Sequence, residues 1–312
     1  MDEREKLARI RLIQTRHIGP MTFSLLIQRY GSALAALAAI PDLAARGRRK
    51  LSIASLADAK AELAANDDAG ARLIWRDSDS YPLRLAQFDD APVTLSTRGN
   101  LHLLHKPMIA LVGARNASIN AIRHAETLAR ELGEAGYVIV SGMARGIDAA
   151  AHRGVMATDT VGVIAGGIDI IYPPENRALF QQIVDEGLLL AEMRPGTAPT
   201  PRHFPTRKRI IASLAQNAAD IIEAVGQNRT VEVPPKKTIW VEMLQTTFSN
   251  EDILKCREII ISGLGGEPVD VDDLIAWCDQ PSAVVWAAIL ELELAGQLTR
   301  HYGNRVSRQF EF

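Results

Sequence analysis

Apolar residues divide the chain into three textures. From Leu7 to Leu37 the run LARIRLIQTRHIGPMTFSLLIQRYGSALAAL carries them at helical spacing on both sides of a Gly19-Pro20 break. Residues 1–70 are therefore expected to form a small helical domain. The break reads as a tight inter-helix turn. A helix-hairpin-helix offering backbone N–H groups to a phosphate is the second reading. Residues 71–107 are transitional, with Tyr81-Pro82 and Ala91-Pro92 marking extended chain. From Met108 the pattern alternates. MIALVG, YVIVSG, TVGVIAGG, LLLAEM and ADIIEA are short apolar runs of the kind that form buried parallel strands. Helical stretches separate them: Asn120–Gly136 closed by Gly136, a second beginning near Gly146, and a third at Arg209–Ala215. The fold class predicted is α/β, a Rossmann-type doubly wound parallel sheet with right-handed crossovers.

Residues 267–312 form the third texture. Asp270 is placed to cap a helix, with Asp273 three residues on. A second helix, SAVVWAAILELELA, stops at Gly296, and QLTRHY and RVSRQF follow as a hairpin through Gly303-Asn304. Helix, helix, hairpin is the order of a winged helix. The expected boundaries are 1–70, 71–262 and 267–312, with 225–262 atypical of the core.

Length and composition narrow the classes. The 312 residues carry a net charge of −2, so any nucleic-acid site must be a local patch. Only Cys256 and Cys278 occur, without metal-ligand spacing, so no metal site and no disulfide framework is expected. No signal segment or membrane span is legible, and a cytoplasmic protein is expected. The run Arg46, Arg48, Arg49, Lys50 reads as a solvated linker.

Ligands of open α/β sheets bind outside the carboxyl ends of the strands. Those ends carry Gly113, Arg115 and Ser118, then Ser141, Gly142, Arg145, Gly146 and Asp148, then Gly166, Gly167 and Asp169. Glycines there let backbone approach an anion, and the arginines supply bidentate donors. The stretch RPGTAPTPRHFPTRKRIIASLA groups Arg194, Arg202, His203, Arg207, Lys208 and Arg209 around Phe204. Cations beside an aromatic ring suit a single strand, whose phosphates need charge and whose bases need a stacking face. Asp148 and His152, four apart, share a helix face. No third ligand and no nucleophile in a recognisable setting accompanies them, so both are expected to be structural, Asp148 holding Arg145 and the glycine turn. Neither GxGxxG nor GxxxxGK[ST] occurs, so no cofactor is expected.

Four elements resemble the DNA-processing protein A (DprA/Smf) family. LVGARNAS is similar to VGSR-x-x-S, VIVSGMARGIDAAAHRG to SGxARGIDxxAH, VIAGGIDIIYPPEN to VLGxGxDxxYPxxN, and HFPTRKRIIASLA to FPxRNRIIAGLS. They stand in the family's order at family-like spacing. The N-terminus resembles the family's sterile-alpha-motif-like domain and the C-terminus its winged helix.

The resemblance implies a protein that binds and protects single-stranded DNA and loads the recombinase RecA onto it during natural transformation. It implies no catalytic residue. Its DNA site would be Arg115, Ser118, Ser141, Gly142, Arg145, Gly146, Phe204, Arg207, Lys208 and Arg209. It also implies a homodimer. Arg207-Lys208-Arg209 replaces the family's Arg-Asn-Arg, and 225–262 departs from a segment the family uses for its core and for self-association. TIWVEM could replace the missing strand. The competing reading is a LOG-like nucleoside-monophosphate glycosidic hydrolase, but its PGGxGTxxE element is absent: Gly166-Gly167 is followed by Ile168-Asp169. The winged helix is expected to be a protein-contact or auxiliary module. Its second helix offers only Glu291 and Glu293 as charges, and Arg300, Arg305 and Arg308 sit in the wing.

Overall fold

The computed structural model describes the whole chain except 46–51, 157–158, 217–249, 302–303 and 310–312. The expected strand ADIIEA, the segment TIWVEM and the basic run Arg46–Lys50 lie outside the described residues. Two compact units emerge. One is 61–235; the other joins 1–60 to 236–312. Among the described residues no single helix is long and apolar enough to cross a membrane.

The first unit is built on a six-stranded sheet in the order β1-β2-β6-β5-β4-β3. Its four parallel strands are β3 (Met108–Ala110), β4 (Val138–Gly142), β5 (Thr160–Gly167) and β6 (Leu188–Met193). The last two coincide with the apolar runs that predicted them. β1 (Arg72–Trp75) and β2 (Thr94–Gly99) extend the sheet antiparallel to β6. Only extended chain is expected there from sequence, because β1 is short and β2 mixes Thr, Ser and Arg with one Leu.

The parallel strands are covered on both faces, which is why they read as continuous apolar runs rather than alternating ones. Val138, Val140, Val161, Val163, Leu188 and Leu190 pack toward α9 (His203–Leu214) through Ile210, Ile211 and Leu214. On the opposite face Ile139 meets Ala129 of α6 (Ile119–Glu134) and Ala151 of α7 (Ile147–Gly154). There too Leu189 and Ala191 meet Phe180 and Ile183 of α8 (Arg177–Glu186). α6 ends as its glycine predicts, with Gly136 at φ +91.

α9 begins earlier than the prolines suggest. Pro205 is its third residue, where a missing N–H removes no helical hydrogen bond. Phe204 and Arg207 therefore lie on one helix face, three residues apart.

The second unit contains α1 (Glu3–Gln14), α2 (Pro20–Tyr30) and α3 (Ala33–Ala45). It also contains a winged helix of α10 (Asn250–Gly263), β7 (Val269–Asp270), α11 (Val271–Cys278), α12 (Ser282–Leu294), β8 (Leu298–His301) and β9 (Arg305–Arg308). α4 (Leu56–Asp68) contains the boundary between units, and the short α5 (Leu83–Ala86) lies in the first. Pro20 occupies the first turn of α2. Asp270 caps α11, accepting from the Asp272 N–H at 3.0 Å. α10 comes from the stretch that departs from the family core, and here it is a winged-helix element.

α12 is buried at every residue from Ala283 to Leu294. An all-round apolar helix belongs inside a unit, and its two carboxylates follow it there. Glu291 takes Arg29 of α2 and Arg257 of α10 at 2.9 Å each. Glu293 accepts from Thr22 of α2 at 3.3 Å and pairs with Arg300 at 3.2 Å. The helix that reads bases in a conventional winged helix is here packed against α2.

Candidate nucleic-acid interface

The carboxyl ends of β3 and β4 meet at the loop 111–118 and the start of α7, where the Ile147 N–H donates to the Ala114 carbonyl, whereas Gly166 and Gly167 at the end of β5 lie against residues 194–199. Ser118 caps α6, accepting from the Ala121 N–H at 3.3 Å. Gly146 stands before α7 at φ +77, and a Cβ there would lie 2.2 Å from the Ala114 carbonyl oxygen. Glycine is needed on both counts, because the 111–118 loop lies directly against it. The buried Ser141 donates to the Leu111 carbonyl and ties β4 to that loop. Ser141 and Gly142 thus form the floor of the site, while Arg115 and Arg145 stand on its rim.

Beneath the rim lies an ion pair. Arg207 Nη2 is 3.6 Å from Asp148 Oδ2, and both side chains are more than nine-tenths buried. Asp148 also accepts from the Gly113 N–H at 3.4 Å. The expected partner of Asp148 was Arg145; the structure gives it Arg207, which reaches inward from α9. A Cβ on Gly142 would sit 2.6 Å from both Arg207 Cζ and Asp148 Oδ2, so this glycine creates the space for the pair. Burial raises the Asp148 carboxyl, with Arg207 and the Gly113 and Ala144 N–H groups pulling against it. Burial likewise lowers the Arg207 guanidinium. Arg207 Nε is buried and has no hydrogen-bond partner among the described residues.

Phe204 lies over this pair. The Arg207 guanidinium is 5.4 Å from its ring centroid, and that of the exposed Arg115 is 4.7 Å away. Both distances fall within cation–π range. Tyr172 stands beside Phe204 with ring centroids 6.3 Å apart at 54°. Although it lies inside a quoted motif, nothing in the pattern singles it out. Arg145 is exposed and reaches Glu175 at 3.4 Å. Lys208 is exposed.

Other members of the basic stretch are engaged elsewhere. Arg209 pairs with Glu192 at 2.7 Å, with the Asp90 side chain at 3.4 Å and with the Asp90 carbonyl. Arg194 pairs with Glu62 at 3.1 Å. His203 is buried and accepts from the Thr200 N–H at 3.3 Å. Arg202 remains exposed.

His152 is fully buried, 2.8 Å from the Gly142 carbonyl through Nε2 and 2.7 Å from Thr160 Oγ1 through Nδ1. Burial pushes its pKa down to about 4, so the ring is neutral at pH 7. A carbonyl can only accept, so Nε2 carries the hydrogen and Nδ1 accepts from the Thr160 hydroxyl. One nitrogen thus holds the end of β4 and the other the start of β5. Among the described residues no group of His, Cys, Asp and Glu could hold a metal ion.

Residues 72–233 match the family model of DNA recombination-mediator protein A. The chain belongs to the DNA-processing protein A (DprA) family. Residues 3–65 match the DprA-like N-terminal HHH domain and 249–304 the DprA winged helix domain. The DprA of Streptococcus pneumoniae is 43% identical over 140 residues, covering 44% of this chain and 49% of that one. The DprA of Bacillus subtilis is 39% identical over 157 residues, covering 49% and 53%. The chain spans about half the length of the curated relatives it matches. An X-ray structure of the Streptococcus pneumoniae DprA aligns with a TM-score of 0.52 at 32% identity, covering 68% of this chain and 74% of that one. The winged-helix match begins at residue 249 and so takes in α10.

Proposed function

We propose that this DprA-family chain binds single-stranded DNA without sequence readout, along the rim formed by Arg115, Arg145, Phe204 and Lys208 over the Arg207–Asp148 floor. The observation that carries the reading is the Arg115–Phe204–Arg207 stack at the strand ends, with an unsatisfied Arg207 Nε beneath it. A buried guanidinium with a spare donor, roofed by an aromatic ring and an exposed arginine, suits a phosphate beside an unpaired base. Ser118, Ser141, Gly142 and Gly146 shape the backbone that brings these groups together. Arg209 contributes by fixing α9 through Glu192 and Asp90.

The family's description as a DNA recombination mediator supports placing the chain in DNA processing; delivery of single strands to RecA during natural transformation, as a homodimer in the cytoplasm, is the finer part of the proposal. The role is one of binding, not catalysis. Asp148 and His152, a pair that spacing suits to acid–base work, are both committed to holding the floor, which counts against the hydrolase reading.

The test is a titration with single- and double-stranded oligonucleotides at two or more salt concentrations. Single strands should bind in clear preference. Three exposed cations, Arg115, Arg145 and Lys208, predict a slope of log affinity against log salt of about −2. Equal affinity for duplex, or no salt slope, would remove the proposal. Release of free base from nucleoside monophosphates would revive the hydrolase reading.

A further inference from the structure

We propose that Trp277, on the exposed face of α11 in the winged helix, anchors a docking surface for a protein partner that presents an arginine; the inference stands apart from the single-strand reading above. The chain carries no Lys or Arg from Glu258 to Thr299. Within that stretch Glu291 and Glu293 are buried and paired, whereas Glu267, Asp272, Asp273 and Asp279 are exposed. None of these four makes an ion pair among the described residues. Asp272 and Asp273 suit the start of α11, where the helix dipole favours carboxylates. Asp279 does not. It closes the opposite end of that helix at φ +48, where negative charge is disfavoured. The result is a surface that repels phosphate and attracts cations.

Trp277 gives that surface a fixed centre. It is 55% exposed, while Trp75 and Trp286 are buried. Met1, Leu34, Leu56 and Leu254 of the same unit are comparably exposed, but isolated aliphatic chains are ordinary surface. Trp277 differs in being held. A Cβ on Gly263, the last residue of α10, would fall 2.0 Å from Trp277 Cη2, so the ring lies against backbone that only glycine leaves bare. The ring has no aromatic, cationic or hydrogen-bond partner among the described residues. Asp273 stands one helical turn before it, on the same face. Trp286 shows what completes such an arrangement. Arg300 lies over its ring at 5.6 Å and pairs with Glu293 at 3.2 Å. There the chain itself supplies a guanidinium to a tryptophan face and a carboxylate. At Trp277 the ring and the carboxylate are present without the guanidinium. An arginine from a partner would stack on the indole and reach Asp273 through its planar fork, which lysine cannot do.

The experiment uses the full chain labelled with 5-fluorotryptophan and a blocked hexapeptide of alternating arginine and glycine. The same peptide with citrulline for arginine keeps the shape and removes the charge. In fluorine NMR the Trp277 resonance, assigned by its loss in Trp277→Phe, should shift and saturate with the arginine peptide and stay in place with the citrulline one. Trp277→Ala should weaken binding of the arginine peptide about fivefold, the scale of one cation–π contact. Asp273→Asn, which leaves the ring seated on Gly263, should weaken it about threefold at low salt and not at high salt. Oligo(dT) affinity should be the same in both variants as in wild type. The inference is overturned if the arginine peptide leaves the wild-type resonance where it was, if the citrulline peptide moves it equally, or if Trp277→Ala binds the arginine peptide as wild type does. A resonance moved by oligo(dT) and not by the peptide would also overturn it, making this face a nucleic-acid surface instead.

Discussion

Two buried ion pairs, one in each unit, use the same residue types to different ends. In the terminal unit Glu291 holds Arg29 and Arg257 at 2.9 Å each, inside a helix buried along its length. In the sheet unit Arg207 and Asp148 stand 3.6 Å apart beneath an exposed arginine and a half-buried phenylalanine. Each leaves one guanidinium nitrogen unpaired, on Arg29 and on Arg207, so the spare donor by itself does not mark a site. What separates them is the setting. The first triad is enclosed by apolar packing. The second opens onto the ends of β3 and β4 and the starts of α7 and α9, beside the exposed Arg115. Buried charge is costly wherever it lies. In α12 it fixes which elements pack together, and at the sheet edge it holds a donor ready for a ligand.

The largest expected effect tests the enclosed pair. Glu291→Ala leaves the partly buried Arg29 and Arg257 without the carboxylate they share and should cost about 3 kcal/mol in the terminal unit, the low end for breaking a buried pair. Hydrogen exchange within α12 should report the loss, and oligo(dT) affinity should not change. If the amides of α12 keep their wild-type protection, the pair is not what holds α2 and α10 to that helix.

Next comes the open pair. Gly142→Ala drives a methyl group into both Arg207 and Asp148 and should reduce single-strand binding at least tenfold in a chain that stays folded. The double variant Arg145→Ala, Lys208→Ala should lose a similar amount and flatten the salt slope toward −1. A folded double variant with wild-type affinity would show that the exposed cations do not contact phosphate.

A pH titration probes the sheet unit more gently. His152 has a folded-state pKa of about 4 against an ordinary 6.5. Below pH 6.5 the unfolded chain takes up a proton that the folded chain refuses, so stability falls on acidification through the window 6.5 to 4. The full displacement corresponds to roughly 3 kcal/mol. Glu192 acts oppositely. Burial raises its carboxyl to about 7 from 4.5, against the pull of Arg209, so its contribution falls as pH rises through that interval. The wild-type profile should therefore be shallow between pH 4.5 and 6.5. In Glu192→Gln the His152 slope should emerge, with the sheet unit gaining stability as pH increases. A flat profile in that variant would mean that His152 titrates normally.

The smallest effect concerns the rim. Glu175 competes with phosphate for Arg145 across an exposed 3.4 Å contact. Glu175→Gln should tighten single-strand binding by a few-fold at low salt and by nothing measurable at high salt, as screening predicts. Unchanged affinity at both would place Arg145 away from the DNA path.

Much of the frame was legible in the chain. Buried parallel strands must be apolar on both faces, so β5 and β6 announced themselves to the residue, and Gly136 and Gly296 marked helix ends where a left-handed backbone is needed. The rule that ligands meet strand ends picked out Arg115 and Arg145, but not that α9 would bring Phe204 and Arg207 up to Arg115. The edge strands β1 and β2 were not legible, because short strands that mix polar with apolar residues satisfy no period.

Sequence by itself determined which residues carry charge, where glycine frees the backbone, and which runs must be inside, since these depend on neighbours within a few positions. Only the tertiary structure decided what each charge does. Arg207 and Arg209 are two residues apart on one helix, yet one faces Asp148 beneath the rim and the other Glu192 on the far side. Glu291 reads as a surface carboxylate until α2 and α10 close over it. Tyr172 is one aromatic among many until Phe204 is seen beside it. The physical reason is common to all three. A side chain's partner is set by the 100° turn between successive helical residues and by the elements that pack across it, and those contacts join residues that the chain keeps far apart.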